Sequence, residues 1–197
     1  MFKIDNLGLT IGGTLGVQLY ATVDTSFACH SDMKSHTGGT IHLGPQYGAF
    51  SAFSEKQSIQ TDSTPASEGV GGHMISRRVL PLRFYLEELL HPQLQPSRVA
   101  MDNVPYMQSA LSGKGLSKNV KHVLIRVRVT DAALEKKEIT LEHLKTVDMV
   151  ADILTKPLAS GDFHSLRRVL LGADPVQTSL EYVRDPKLYC NFVDFRC

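Results

Sequence analysis

Four acidic residues stand at points of the chain where their carboxylates can meet. Asp24 and Asp102 each come where a predicted strand ends. Glu68 falls in the first turn of a predicted helix, and Asp152 in the second turn of a later one. Such carboxylates suit Mg²⁺, and two of these ions about 3.5–4 Å apart can activate a water and neutralise charge on a phosphodiester. A lone aspartate at a strand end is more often a turn or cap residue, so only the joint pattern indicates a metal site.

The elements that must carry these acids follow an α/β pattern. Residues 17–24 alternate between apolar and polar, which predicts a half-buried strand that ends at Asp24. Short segments rich in β-forming residues predict four more strands, at 38–43, 47–53, 98–101 and 138–144. The first three strands are expected to form an antiparallel meander within a mixed sheet. Because ligand sites gather at the carboxyl ends of parallel neighbours, the four acids are expected at one edge of that sheet.

A long helix is expected after the third strand. Ser63 and Thr64 can cap it, and Pro65 suits its first turn. The glycines at 69, 71 and 72 weaken this helix, and Pro81 removes a backbone donor. We therefore expect the helix to bend or break.

The later helices are predicted from shorter patterns. Thr146 can cap a helix over 146–152, and Gly172 can stop another at 163–171. Residues 120–129 fit both a helix face and the alternation of a strand, so the residues alone leave their structure open.

The composition is that of a soluble globular protein, with 42% hydrophobic and 21% charged residues. Three cysteines without a C-x-x-C pair favour a reduced intracellular compartment over a disulfide framework or a zinc site. The apolar stretch 7–17 is cut by four glycines, so neither a signal peptide nor a membrane span is expected. The net charge is +1, but residues 113–137 hold seven Lys or Arg against two acids. This local surplus suits a phosphate backbone or, equally, a solvated helix face.

Segment 150–158 reads Val-Ala-Asp-Ile-Leu-Thr-Lys-Pro-Leu. It resembles the end of the ribonuclease H domain of copia-type LTR retrotransposons, in which the alanine is followed by a metal-binding aspartate. The resemblance extends over about residues 20–172. Other segments that match the family are Val-Asp-Thr-Ser-Phe-Ala (23–28), Lys-Ser-His-Thr-Gly (34–38), Met-Asp-Asn (101–103) and Lys-His-Val (121–123).

The assignment of the second acid depends on the frame of the match. Counting without gaps from the family's Lys-Gln, here residues 56–57, places its glutamate on Glu68. A rival frame, from the Ser-Thr at 63–64, would place Ser67 there instead. We favour Glu68 because its frame keeps both flanks in register.

Two positions depart from the family. Phe27 stands where the family usually has tryptophan, and Leu124 where it commonly has an aspartate. The family's Lys-His-Ile lies on a helix, so the resemblance favours a helix for residues 120–129.

The resemblance implies a ribonuclease H-like fold: a mixed five-stranded sheet of three antiparallel strands and two parallel additions, flanked by helices. It implies a Mg²⁺-dependent endoribonuclease that cleaves the RNA strand of RNA–DNA hybrids with two ions, for which Mn²⁺ is a possible substitute. Asp24 would bridge both ions, Glu68 and Asp102 would hold the first, and Asp152 the second. The residues expected to contact substrate are Lys34, Ser35, Thr37, Gln57, Asn103, Lys121 and His122.

The resemblance also implies a place in a Pol polyprotein. Residues 1–15 would be a remnant of the connection to an upstream reverse transcriptase, 16–172 the domain, and 173–197 a tail. The expected location is the cytoplasm, inside retrotransposon particles where the chain is made as part of a polyprotein.

Two alternatives remain open at this point. One is a catalytically inactive ribonuclease H-like module, kept for nucleic-acid or protein interaction, or an element relic. The glycines after Glu68, Pro81 and the absent acid at Leu124 favour it. The other is an integrase- or resolvase-like nuclease that acts on DNA.

Overall fold

The computed structural model describes residues 7–12, 17–112 and 121–178, apart from the side chains of Lys121, His122 and Leu124. Within these residues there are five strands and four α-helices, and two short 3-10 helices precede the last α-helix. In chain order the elements are β1 (Tyr20–Ser26), β2 (His36–His42), β3 (Ala49–Lys56), α1 (Thr64–Glu88), β4 (Ser97–Met101), α2 (Val104–Leu111), α3 (Lys121–Glu135), β5 (Ile139–His143), the 3-10 helices Thr146–Asp148 and Val150–Leu154, and α4 (Ser160–Leu170). Among the helices of this described part, none has the length and apolar character needed to cross a membrane.

The strands form one sheet in the order β3-β2-β1-β4-β5. The pairs β1–β2 and β2–β3 are antiparallel, whereas β1–β4 and β4–β5 are parallel. This confirms the predicted mixed sheet of three antiparallel strands and two parallel additions. The parallel pairs place the carboxyl ends of β1, β4 and β5 at one edge.

Strand β1 is buried on both faces, so the prediction of a half-buried strand is wrong. Ala21 and Val23 point into a core shared with α1, and Tyr20 joins a second core with Met149 and Val150. Thr22, whose polarity suggested a solvent face, is fully buried and shares a hydrogen bond of 2.7 Å with the Thr40 hydroxyl. The second face is covered by the 3-10 segment and α4, which local alternation does not reveal.

Helix α1 runs without interruption over 25 residues, so a break at the glycines or at Pro81 is ruled out, while a bend stays a prediction. A Cβ atom on Gly71 would lie 2.6 Å from Thr25 Oγ1, and one on Gly72 would lie 2.9 Å from Tyr106 Oη. The glycines therefore allow α1 to approach β1 and α2 closely, and packing against both outweighs their low helix propensity. Pro81 lies inside the helix. Ser63 takes the N-cap position, although its side chain makes no capping hydrogen bond.

Residues 121–135 form helix α3, which confirms the helix that the resemblance favours. The predicted helix over 146–152 is wrong, because two 3-10 helices separated by an extended residue, Met149, stand there. Helix α4 ends before Gly172, which has a φ of +77°, as predicted. The described part of the tail packs against the domain: Val176 is buried and its N–H donates to the carbonyl of Pro45.

Candidate metal-binding active site

Asp24 and Asp102 are brought together by the parallel pairing of β1 with β4. The last pair between these two strands is Thr22 with Ala100. Asp24 lies two residues after Thr22 and Asp102 two residues after Ala100, so the two aspartates lie side by side. Asp102 comes directly after β4, as predicted. Asp24 does not end its strand but lies inside β1, two residues before its end, and only 2% of it is exposed.

Glu68 reaches this pair from α1. It is the fifth residue of the helix and so lies in the second turn. The sequence had suggested the first turn. The carboxylates of Asp24, Glu68 and Asp102 each offer an oxygen, and these oxygens lie within 4.8 Å of one another. Glu68, the residue that the favoured frame of the family match selects, is therefore the third acid of this group.

The electrostatics of Glu68 are unusual. The residue is 3% exposed, and within the described residues its Oε2 atom has no hydrogen-bond partner. Burial raises the pKa of Glu68 well above its ordinary value, and the charges of Asp24 and Asp102 raise it further. A cation placed among the three carboxylates would reverse these effects.

Asp152 lies outside this tight group and is connected to it through Lys156. The Lys156 Nζ atom lies 2.9 Å from Asp152 Oδ1 and 3.4 Å from Asp24 Oδ1. Burial raises the pKa of Asp152 to about 6, although its hydrogen bond from Lys156 works in the opposite direction. The ammonium group therefore occupies the space between two carboxylates that were predicted to share a metal ion.

Three residues contact the acids although the sequence analysis did not assign them to the site. The Thr155 hydroxyl donates to Asp24 Oδ2, and the Thr146 hydroxyl donates to Asp102 Oδ2 at 3.0 Å. Lys156 is the third. Thr155 and Lys156 belong to the 150–158 motif, so a signal was present in the sequence. The spacing of Thr155 and Lys156 from Asp152 did not show that the chain turns back after Asp152, which brings both residues to Asp24 in β1.

Three of the predicted substrate contacts, Ser35, Thr37 and Gln57, are almost completely buried. The Gln57 amide donates to Thr37 Oγ1 and to the carbonyl of Ser67, both at 2.9 Å. The Ser35 hydroxyl accepts from the N–H of Ala28 at 3.1 Å. The two Gln57 bonds tie β2 to the start of α1 and so help to orient the helix that carries Glu68, whereas the Ser35 bond lies within the connection between β1 and β2. Contact of these three residues with substrate stays a prediction.

The remaining predicted contacts are divided. Asn103 is the N-cap of α2, where its Oδ1 atom accepts from the N–H of Tyr106 at 2.9 Å. Lys34 lies 3.7 Å from Asp32, near the surface. The side chains of Lys121 and His122 lie outside the described part of the structure. Of the two residues among these four whose side chains are described, Asn103 lines the cavity at the acidic site and Lys34 does not.

Asp24, Glu68 and Asp102 line a cavity of about 460 Å³, and Asn103 and Lys156 line it as well. Its ligand atoms are carboxylate oxygens, the hard donors that Mg²⁺ and Mn²⁺ prefer. The buried Glu68 oxygen without a partner adds a position that a cation would satisfy. The residues present therefore fit a divalent cation.

No family model matches this chain, and no curated protein matches it. Among solved structures it is similar to the N-terminal RNase H domain of Rv2228c from Mycobacterium tuberculosis, studied as a fusion with maltose-binding protein, with a TM-score of 0.50 and 14% identity over 78% of this chain and 98% of that one. It is also similar to LC11-RNase H1, isolated from compost by a metagenomic approach, with a TM-score of 0.50 and 12% identity over 70% of this chain and 91% of that one. The chain therefore has a ribonuclease H-like fold, as predicted.

Proposed function

We propose that this chain is a ribonuclease H-type endonuclease that cleaves the RNA strand of RNA–DNA hybrids with two Mg²⁺ ions, or with Mn²⁺ in their place. We further propose that it comes from a copia-type retrotransposon, acts beside an upstream reverse transcriptase domain, and works in the cytoplasm within retrotransposon particles. The 150–158 motif supports this lineage.

One observation carries the proposal: Asp24, Glu68 and Asp102 converge, and Glu68 is left with an unpartnered buried oxygen. Each pair of ionised groups at about 4.8 Å would repel by roughly 3–4 kcal/mol at an effective dielectric constant of about 20. Without a metal the raised pKa of Glu68 favours its neutral form, which avoids part of this cost, and a cation among the three carboxylates would offset it when all three are ionised.

The roles of the residues follow from their positions. Two bound Mg²⁺ ions would supply a nucleophilic water and neutralise charge at the phosphorus. Asp24, Glu68 and Asp102 would hold one of them, and Asp24 with Asp152 the other. The second assignment requires Lys156 to release both aspartates, which frees its ammonium for another anionic group.

The hydroxyl donors fix the carboxylates before any ion is bound. Thr155 donates to Asp24 and Thr146 donates to Asp102, so one lone pair of each acid has a defined direction. Such preorganisation reduces the rearrangement needed when the site is filled.

Recognition of the RNA strand requires contacts to 2′-hydroxyl groups, since these distinguish RNA from DNA chemically. Asn103 is the predicted contact residue that lines the cavity. Lys34, Lys121 and His122 belong to the proposed set of substrate contacts, and so do Ser35, Thr37 and Gln57, whose burial also lets them support the start of α1.

The inactive-module alternative loses much of its support. Two of the three glycines after Glu68 have a packing role, and α1 continues through Pro81. Glu68 points towards the other acids rather than away from them. We therefore prefer the catalytic proposal to the inactive one.

The test is cleavage of a hybrid with labelled RNA in Mg²⁺ and in Mn²⁺, with duplex DNA and duplex RNA as controls. Asp24→Asn is expected to be inactive, and Asp62→Asn, an identical change at an exposed position, is expected to behave like the parent. Metal binding by the parent without any cleavage of hybrid would support the inactive module. Cleavage of duplex DNA would support the DNA-directed alternative.

A further inference from the structure

Two histidine rings meet at the turn between β1 and β2. His30 Nε2 lies 3.1 Å from His36 Nδ1, and the ring centroids are 5.2 Å apart. His36 is the first residue of β2, and His30 lies in the turn six residues before it. Both side chains are partly buried, and neither lines the acidic cavity. The pair therefore presents two ring nitrogens to one small volume away from the acids.

The hydrogen bonds of Ser54 determine which nitrogen of His36 carries its proton. The Ser54 hydroxyl donates to the carbonyl of Leu154 at 2.7 Å, and this bond uses its one proton. The bond of 2.7 Å between Ser54 Oγ and His36 Nε2 must then be donated by the ring. In the neutral ring Nδ1 is left with a lone pair that faces His30. Burial and then the charge of His30 lower the pKa of His36, so this neutral form is present at neutral pH.

The turn holds His30 close to His36. The N–H of His30 donates to the carbonyl of Lys34 at 3.2 Å, which closes the backbone of the turn. Asp32, in the same turn, lies 2.8 Å from the Nζ atom of Lys56 at the end of β3. The two rings are therefore placed before any ligand binds, which lowers the entropic cost of binding one.

A divalent cation fits beside the two nitrogens. Zn²⁺ binds imidazole nitrogen at about 2.0–2.1 Å, so a cation at that distance from both atoms would subtend an angle of about 95–102°. This angle lies between those of octahedral and tetrahedral sites. The cation lies off the line between the nitrogens, so the His30 ring must turn towards it and move its proton from Nε2 to Nδ1 through solvent. Within the described residues, no other hydrogen bond holds the His30 ring in place.

The donor atoms decide the class of cation. Imidazole nitrogen suits Zn²⁺, Ni²⁺ and Cu²⁺, whereas the carboxylates of the acidic site suit Mg²⁺ and Mn²⁺. A histidine that binds a metal usually donates its other ring N–H to a fixed acceptor, which orients the ring. Ser54 is that acceptor for His36, and its own bond to Leu154 fixes it in turn. The pair therefore has the outer contact that a metal ligand needs.

We propose that His30 Nε2 and His36 Nδ1 bind a divalent transition-metal cation of the Zn²⁺ class, with water in the remaining positions. This site is separate from the acids and does not depend on the proposed function. Leu154 ends the 3-10 helix that carries Asp152. The bonds from His36 through Ser54 to Leu154 connect the cation to that helix. A bound cation would thus hold the β1–β2 turn, β3 and the 3-10 segment together and stabilise the domain.

The experiment titrates Zn²⁺ into the full chain in excess Mg²⁺ and follows both the histidine ring-nitrogen NMR signals and the heat of binding. We expect the signals of His30 and His36 to move, and those of His164, which is exposed on α4, to stay in place. His30→Gln should bind Zn²⁺ at least tenfold more weakly, and Ser54→Ala about tenfold more weakly. His164→Gln is the matched control and should bind like the parent.

Thermal unfolding gives a second measurement of the same site. Zn²⁺ should raise the Tm of the parent and of His164→Gln, and should raise that of His30→Gln much less, because a cation that binds the folded state stabilises it. His30→Gln leaves the bond between His36 and Ser54 intact, so it decides the result even if His36→Gln fails to fold.

Equal Zn²⁺ affinity in the parent and in His30→Gln would overturn the proposal and leave the pair as an ordinary hydrogen bond between imidazoles. Loss of binding in Asp24→Asn, with binding kept in His30→Gln, would place the cation at the acids. Loss in Cys29→Ser, with binding kept in His36→Gln, would place it at the exposed thiol. Either result rejects the proposal. Neither measurement requires cleavage, so a parent that binds Zn²⁺ at the histidines but cleaves no hybrid would refute the proposed function alone.

Discussion

The ammonium group of Lys156 allows a direct test of the electrostatics of the site. It lies between Asp24 and Asp152 and is about one third exposed. Lys156→Met removes the charge and keeps an unbranched apolar side chain. We expect the metal-free variant to be less stable than the parent and to gain more stability from divalent cations.

The magnitude follows from the two distances. At an effective dielectric constant of about 20, unit charges at 2.9 and 3.4 Å attract by roughly 6 and 5 kcal/mol. Solvent screens part of this attraction because the ammonium is partly exposed. The pKa of Asp152 is about 6, so without the lysine this carboxyl takes up a proton near neutral pH, which limits the loss. We expect a net destabilisation of about 1–3 kcal/mol, or roughly 3–10 °C in Tm.

The assay is thermal unfolding at pH 7.5, first in EDTA and then across a Mg²⁺ titration. A ligand that binds only the folded state raises its stability by RT ln(1 + [L]/Kd), and no ammonium competes for the aspartates in the variant. The Mg²⁺-induced rise in Tm should therefore be larger in Lys156→Met than in the parent. Lys56→Met, which breaks an exposed pair with Asp32, is the matched control and should show the parent's response.

Two results would refute this reasoning. If Lys156→Met has the parent's Tm in EDTA, the ammonium does not stabilise the acids in solution. If its Tm responds to Mg²⁺ no more than the parent's, Lys156 does not compete with a cation there.

Three further outcomes are expected. Asp24→Asn should lower hybrid cleavage roughly a thousandfold or more, because Asp24 is proposed to hold both ions and losing such a ligand costs about several kcal/mol at the transition state, while the circular dichroism spectrum should stay that of the parent. Gly71→Ala should destabilise the fold by about 1–3 kcal/mol in urea unfolding, since its Cβ would lie 2.6 Å from Thr25 Oγ1; an unchanged midpoint would show that α1 can shift freely. Without metal, stability should fall as pH rises from about 4 through 6 and beyond, because the raised pKa values of Asp152 and Glu68 mean that the folded state binds more protons than the unfolded state; a flat urea profile in EDTA would contradict this.

Much of the site could be predicted from the chain because its motifs are local. The alternation before Asp24 and the strand before Asp102 place two of the acids from their neighbours, whereas Glu68 was selected through the family resemblance, by counting from residues 56–57. Strand and helix patterns also predicted the number of strands and the mixed sheet. These features depend on side-chain types a few residues apart, which a sequence records directly.

The tertiary structure decided what depends on distant contacts. Helix α1 stays continuous because Gly71 packs on Thr25, 46 residues away in the chain, and propensity alone argued for a break. Strand β1 is buried on its second face because the 3-10 segment covers it. The local sequence pattern of α1 does not show its contact with Thr25, and that of β1 does not show the 3-10 segment that covers it.

The same limit applies to the charges at the site. Lys156 lies between Asp152 and Asp24 because the chain turns back after the 3-10 helix Val150–Leu154. The sequence had predicted an α-helix there, which would not show this turn. Ser54 connects His36 to Leu154, which lies 100 residues after Ser54 in the chain. Carboxylates, ammonium groups and imidazole rings act over a few ångströms in space, so their partners are set by strand order and helix packing. The sequence determined which charged groups exist, and the fold determined which of them interact.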